Sequence, residues 1–250
     1  MSEQILVSGD AGVCELSFNR PAKRNAITFA MYEALCRALA SAQADGAVRI
    51  VLLRGEGAGF CAGNDLQDFL DGPQFSAGHP VLQLLRTLVQ FDKPLLAAVH
   101  GQAVGIGVTM LLHCDLVVAA RSAQFSLPFV SLGLVPEAGS SLLLPRLLGR
   151  QRAAELLFFG KPFDAPRAHE LGLVTTLVAD DALLEEARRR AHALAQQPQA
   201  ALNATRRLLR PPPQELLARI DEEARIFGAQ LQSEEFRAGV RAFLARGRAG

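Results

Sequence analysis

Short apolar runs alternate with amphipathic stretches through the first two-thirds of the chain. Residues 13–18 read as a strand, and 50–53, a brief apolar run enclosed by Arg49 and Arg54, as another. Between them Met31, Leu35, Ala38, Leu39 and Ala42 recur at intervals of three and four, which predicts one buried helix face with Thr28 as its N-cap. A second helix is expected over 81–89, and strands over 116–120 and 124–126. Residues 69–80, rich in glycine, proline and isolated aromatics, are expected to form a mobile loop. From Gln151 the pattern turns helical, over 152–159, 165–171, 182–196, 200–209, 215–232 and 234–246, with one strand at 173–178. The prolines at 211–213 separate two of these helices.

Two stretches break the pattern. In residues 97–120 an apolar run ends in Gly101, Gly105 and Gly107 before apolar residues return at helical spacing, which predicts strand, glycine turn and helix. Such a junction offers unpaired N–H groups at the positive end of a helix dipole. The spacing matches neither a dinucleotide nor a phosphate loop, so the glycines serve either an anion hole or close packing of a helix on a sheet. Gly55 to Leu66 repeats the device, with Asn64 and Asp65 placed to cap the helix start at its end. Further on, Glu137 is a lone carboxylate in an apolar loop bounded by Pro136 and Gly139. It is either a helix N-terminal residue or a general base made more basic by its surroundings.

Composition narrows the field. Hydrophobic residues make up 50% of 250 positions and the net charge is +1, which indicates an ordered core and no nucleic-acid surface. The basic runs at 146–152 and 188–190 are expected to be solvated faces. The four cysteines are scattered, and Cys61 has no base tied to it by pattern, which disfavours disulfides, a zinc site or a thiol nucleophile and fits a reducing cytoplasm. The histidines have no metal-ligand spacing, and His100 is expected to be structural, as are Asp65 and Asp115. No leader or membrane span is expected.

Taken together in order, several motifs resemble the crotonase (enoyl-CoA hydratase/isomerase) superfamily. They are Asn19-Arg20-Pro21 with Asn25-Ala26, Phe60-Cys61-Ala62-Gly63-Asn64-Asp65-Leu66, Ala98-Val99-His100-Gly101 through Gly107, Cys114-Asp115, Gly172-Leu173-Val174 and Ala242-Phe243-Leu244. The resemblance implies an α/β spiral of ββα turns over residues 1–195, and a C-terminal helical region, 196–250, that builds homotrimers or hexamers and completes the site. It implies an acyl-CoA thioester substrate, with coenzyme A part of the substrate and no separate cofactor, metal, nucleic acid or membrane partner. The enolate would be held by the amides of Ala62 and Ile106, the latter replacing the usual glycine. Gly63, Asn64, Asp65 and Leu66 would line the substrate, while Lys23, Arg24, Phe243 and Arg246 would meet coenzyme A. Where hydratases of the family carry two glutamates this chain has Thr109 and Phe129. Glu137 stands where peroxisomal-type Δ3,Δ2-enoyl-CoA isomerases carry theirs. The resemblance therefore implies an isomerase of unsaturated fatty acyl-CoA serving β-oxidation; a weak hydratase and a non-catalytic acyl-CoA binder are the alternatives.

Overall fold

The computed structural model describes residues 4–71, 75–76 and 78–248, apart from the side chains of 71 and 243–248. Its strands are β1 (Ile5–Asp10), β2 (Val13–Phe18), β3 (Ile50–Gly55), β4 (Leu95–Val99), β5 (Gln102–Val104), β6 (Leu116–Ala120), β7 (Gln124–Ser126), β8 (Phe163–Asp164) and β9 (Thr176–Val178). The helices are α1 (Phe29–Ala44), α2 (Leu66–Asp71), α3 (Pro80–Gln90), α4 (Ile106–Thr109), α5 (Ser140–Leu148), α6 (Arg150–Phe159), α7 (Ala165–Glu170), α8 (Leu183–Ala195), α9 (Gln199–Leu209), α10 (Pro213–Leu231) and α11 (Glu234–Arg248).

Six strands form one sheet in the order β1-β2-β3-β4-β6-β9, antiparallel only between β1 and β2. The central strands β3, β4 and β6 read as nearly continuous apolar runs because both faces are covered. Val51, Leu53, Leu95, Ala97, Val99, Val117 and Ala119 point into the larger core, while Ile50, Leu52, Leu96, Ala98, Val118 and Ala120 point the other way. That second face is covered by α8, whose Leu183, Ala187, Ala191 and Ala195 recur every fourth residue. Alanine at three of these positions lets the helix axis lie close to the sheet.

A second sheet, β5-β7-β8, stands beside the first. After β4 and again after β6 the chain enters this small sheet before a helical segment begins, which is the turn of two strands and a helix expected for the spiral. The stretch after Gly101 therefore differs from the expected single turn. A three-residue strand, β5, precedes Gly105, and the helix after it is four residues long before tightening into a 3₁₀ turn, Met110–His113.

The predicted Thr28 cap forms, its Oγ1 accepting from the Met31 amide at 3.3 Å. Of the loop expected over 69–80, residues 69–71 continue α2, and 72–74 and 77 lie outside the described residues. The C-terminal helices fold back onto the body. Arg206 of α9 binds Asp115 at 2.6 Å, α10 packs on α3 and α5, and α11 docks by Phe236 and Val240 beside a 3₁₀ turn, Val130–Leu132. The basic runs are largely tied up: Arg188 pairs with Glu15, Arg189 and Arg190 with Glu186, and Arg146 with Glu215. Among the described residues no helix is long and apolar enough to cross a membrane.

Candidate active site

The two glycine-bearing stretches meet edge to edge. Cys61 bridges β5, its amide donating to Gln102 O at 3.0 Å and its carbonyl accepting from the Val104 amide at 2.9 Å. Gly107 lies against the same residue so closely that a Cβ there would sit 2.7 Å from Cys61 O. Gly63 takes a φ of +95°, a left-handed value open chiefly to glycine, and a Cβ on it would be 3.1 Å from Val104 O. Residues 61–64 thus run alongside 102–107, bringing two loop backbones together.

The expected pair of amides needs one correction. The Ala62 amide is already spent, donating to Arg24 O at 3.0 Å. The cause is the preceding loop, which folds over this strand like a further strand. The Ile27 amide donates to Gly63 O at 2.8 Å and the Asp65 amide to Ile27 O at 2.9 Å. Successive amides of an extended chain point to opposite sides, so that of Asn64 faces away from residue 27. Among the described residues, the amides of Asn64 and Ile106 have no acceptor. Asn64 is fixed further by the Tyr32 hydroxyl, which donates to its Oδ1 from α1. The Ile106 side chain, larger than the family's glycine, is fully buried in the main core.

Glu137 is 4% exposed and its two oxygens differ. Oε1 accepts from Thr109 Oγ1 at 2.5 Å, whereas Oε2 is buried with no partner. Burial pushes its pKa from 4.5 to about 8; the Thr109 bond works against that rise and the nearby Glu223 carboxylate adds to it. An oxygen that is basic, dry and unbonded is what a proton acceptor requires. Thr109 spends its hydroxyl on Glu137, and Phe129 is a buried ring with no acid or base function.

The loop holding this carboxylate is pinned from three directions. Ala138 and Gly139 are both left-handed, at φ 63° and 70°, a conformation that costs an alanine about 1 kcal/mol or more. His113 Nε2 donates to Ala138 O at 2.8 Å, and burial lowers this imidazole to about 4, so it is neutral. Glu223 of α10 accepts from the Gly139 amide at 2.6 Å and the Ser141 amide at 2.9 Å. Thr109 makes the third tie.

The remaining expected residues fall around this centre. Lys23 and Arg24 are exposed on the loop whose backbone holds Ala62. Asp65 accepts from Arg20 at 2.6 Å and from the Gln67 amide at 3.0 Å, an anchor and turn role, and Leu66 opens α2. His100 Nε2 bonds Gly57 O at 2.9 Å. Burial pushes the Cys61 thiol up to about 12, which keeps it protonated and poorly nucleophilic. The side chains of Phe243 and Arg246 lie outside the described residues.

Tyr32, His113 and Glu223 were not picked out by sequence reasoning. A signal existed only for Glu223: Leu216, Ile220, Glu223 and Phe227 form the buried stripe of α10, and the glutamate is its one charged member.

Comparison with known proteins places the chain in a family. The family model described as enoyl-CoA hydratase/isomerase matches residues 8–249. The chain is 38% identical to 1,2-epoxyphenylacetyl-CoA isomerase of Escherichia coli (strain K12), covering 98% of this chain and 97% of that protein. It is 37% identical to enoyl-CoA delta isomerase 2 of Rattus norvegicus, over 98% of this chain but 64% of that longer protein. The solved structure of Pseudomonas aeruginosa OdaA superposes with a TM-score of 0.94 at 45% identity, covering 97% of this chain and 99% of that one. With crotonase-type turns, abutting glycine loops and a match along nearly its whole length, this chain belongs to the enoyl-CoA hydratase/isomerase family of acyl-CoA-processing enzymes.

Proposed function

We propose that the enzyme is a Δ3,Δ2-enoyl-CoA isomerase that moves a double bond from C3 to C2 of an unsaturated acyl thioester. The observation that carries this reading is a buried carboxylate with one bare oxygen, bonded to a threonine, in a chain that has a threonine and a phenylalanine where hydration calls for carboxylates. Glu137 Oε2 takes a proton from C2. The electron pair moves onto the thioester oxygen, where the Asn64 and Ile106 amides receive it, and the same carboxyl returns the proton at C4. A thioester α-proton is far less acidic than a carboxylic acid, so the two amides supply the larger share of the driving force. The raised basicity of Glu137 narrows what they must supply.

Lys23 and Arg24 suit the phosphates of coenzyme A. We assign Phe243 and Arg246 to the same ligand, and a homotrimer or dimer of trimers in the cytoplasm as the working form. β-Oxidation is the process it would serve. The name of the E. coli relative extends the reading to acyl groups that carry a ring. Phe29, Phe69, Phe75 and Phe227 cluster around His79 with ring centroids 4.6–6.4 Å apart, between α2, which comes after Asn64, and α10, which carries Glu223.

The test presents 3-trans-hexenoyl-CoA and 2-trans-hexenoyl-CoA in parallel and identifies products by chromatography. An isomerase yields 2-enoyl-CoA from the first and no 3-hydroxyacyl-CoA from the second. Rapid formation of the hydroxyacyl product would favour a hydratase, and binding of both without turnover a binder. Thr109→Val gives a finer check. It removes the hydrogen bond that favours the ionised carboxylate, so the acid limb of kcat/KM is expected at higher pH than in the wild type.

A further inference from the structure

Glu223 is 5% exposed, lies 84 and 82 residues from its partners in the chain, and uses both oxygens on backbone amides of the loop that carries Glu137. Those amides are the last before α5 and one of the first within it. The N-terminus of this nine-residue helix carries partial positive charge, and left bare it would favour ionised Glu137 and weaken it as a base. Glu223 occupies that end instead. The same two bonds hold Gly139 in a left-handed conformation next to left-handed Ala138.

We propose that Glu223 is a positioning residue for Glu137: it holds the loop through the Gly139 and Ser141 amides and sets a second negative charge beside the base. This rests on the reading of Glu137 as the base. The other ionisable groups facing Glu137 do not change charge near neutrality. Tyr32 of α1 is held well above its usual range and Cys61 at about 12, while His113 at about 4 is already neutral. Burial pushes the Glu223 carboxyl itself up from its ordinary value, and the hydrogen bonds from Ser141 and Gly139 together with Arg219 of its own helix, which pairs with Glu222 at 3.4 Å, work against that rise and favour its ionised form. On the helices packed against α10, Arg86 of α3 pairs with Asp221 and Arg146 of α5 with Glu215. Glu223 is therefore the neighbour able to set the field at the base.

The test is a carboxyl NMR titration of the full chain labelled with ¹³C at glutamate Cδ, the Glu137 signal being identified by its loss in Glu137→Gln. The wild-type midpoint is expected at about 8. In Glu223→Gln, checked for folding by thermal melt, it is expected at lower pH. Glu223→Asp keeps the charge but is too short to span both amides. Its midpoint is expected to stay near the wild-type value while kcat falls by about 10-fold or more, since displacement of a catalytic group by about 1 Å is costly. An unmoved midpoint in Glu223→Gln, or wild-type kcat in Glu223→Asp, overturns the proposal. Should Glu223→Gln not fold, Glu223→Asp decides alone. A midpoint that moves as expected in a protein that turns over no enoyl-CoA upholds the positioning role and overturns only the isomerase reading.

Discussion

Glu137→Gln is expected to lower the turnover of 3-enoyl-CoA by about 10²–10⁴-fold, the usual share of a positioned acid–base group, with acyl-CoA binding little changed. Glutamine can still accept the Thr109 hydrogen bond, so the loop keeps its tie, but the group replacing Oε2 cannot take up a proton. The same carboxyl links activity to pH. The base must be ionised to act, so kcat/KM of the wild type is expected to rise with pH to a plateau above about 8 rather than above 4.5. Its effect on stability has the opposite sense. The folded pKa lies above the unfolded one, so the contribution of this group is fully present below 4.5 and is lost as pH rises through about 8. Each pH unit across that window costs about 1.4 kcal/mol at most. Glu137→Gln lacks this dependence, and thermal melts at pH 6 and pH 9 should show the variant gaining on the wild type as pH rises. A variant that is inactive and also less stable at pH 9 would point to lost packing rather than a lost base.

Gly107→Ala is expected to cost about 10²–10³ in kcat, the effect of losing one enolate donor. The added Cβ meets Cys61 O at 2.7 Å, Cys61 Cβ at 3.0 Å and Cys61 Sγ at 3.2 Å. Cys61 cannot simply retreat, because its amide and carbonyl are both bonded to β5. The strain separates the two loops, and with them the Asn64 and Ile106 amides. Overpacking of this kind also costs about 1–3 kcal/mol of stability. The kinetic loss should exceed what the melt explains and should fall on kcat more than KM. Wild-type kcat in a folded Gly107→Ala would mean that the amides do not work as a pair.

Much of the scaffold could be read from the chain because its signals are local. The central strands β4 and β6 are apolar on both faces, and β2, β6 and β7 fall where the pattern places them. The strand β1 has five exposed residues of six and no alternation to reveal it, and β5 and β8 are too short to carry a period. In the site, the apolar loop around Glu137 marked that residue as a base or a helix N-terminus. The motif points to Ala62, but a motif does not show which amide a distant carbonyl has already taken. Here Arg24 takes it. His113 bonds a backbone carbonyl far along the chain, which nothing in its own neighbourhood announces, and Glu223 shows only as the one charged member of an otherwise apolar stripe.

In the proposed mechanism one carboxyl removes the proton at C2 and returns it at C4. Its sharpest test is a single turnover of 3-trans-hexenoyl-CoA dideuterated at C2, with the position of deuterium in the 2-enoyl product read by NMR. A buried base whose Oε2 has no hydrogen-bond partner among the described residues is predicted to carry measurable deuterium to C4, and Glu137→Gln to abolish the transfer. Product formed at the wild-type rate with no deuterium at C4 would overturn this mechanism, since a second group or water would then be delivering the proton.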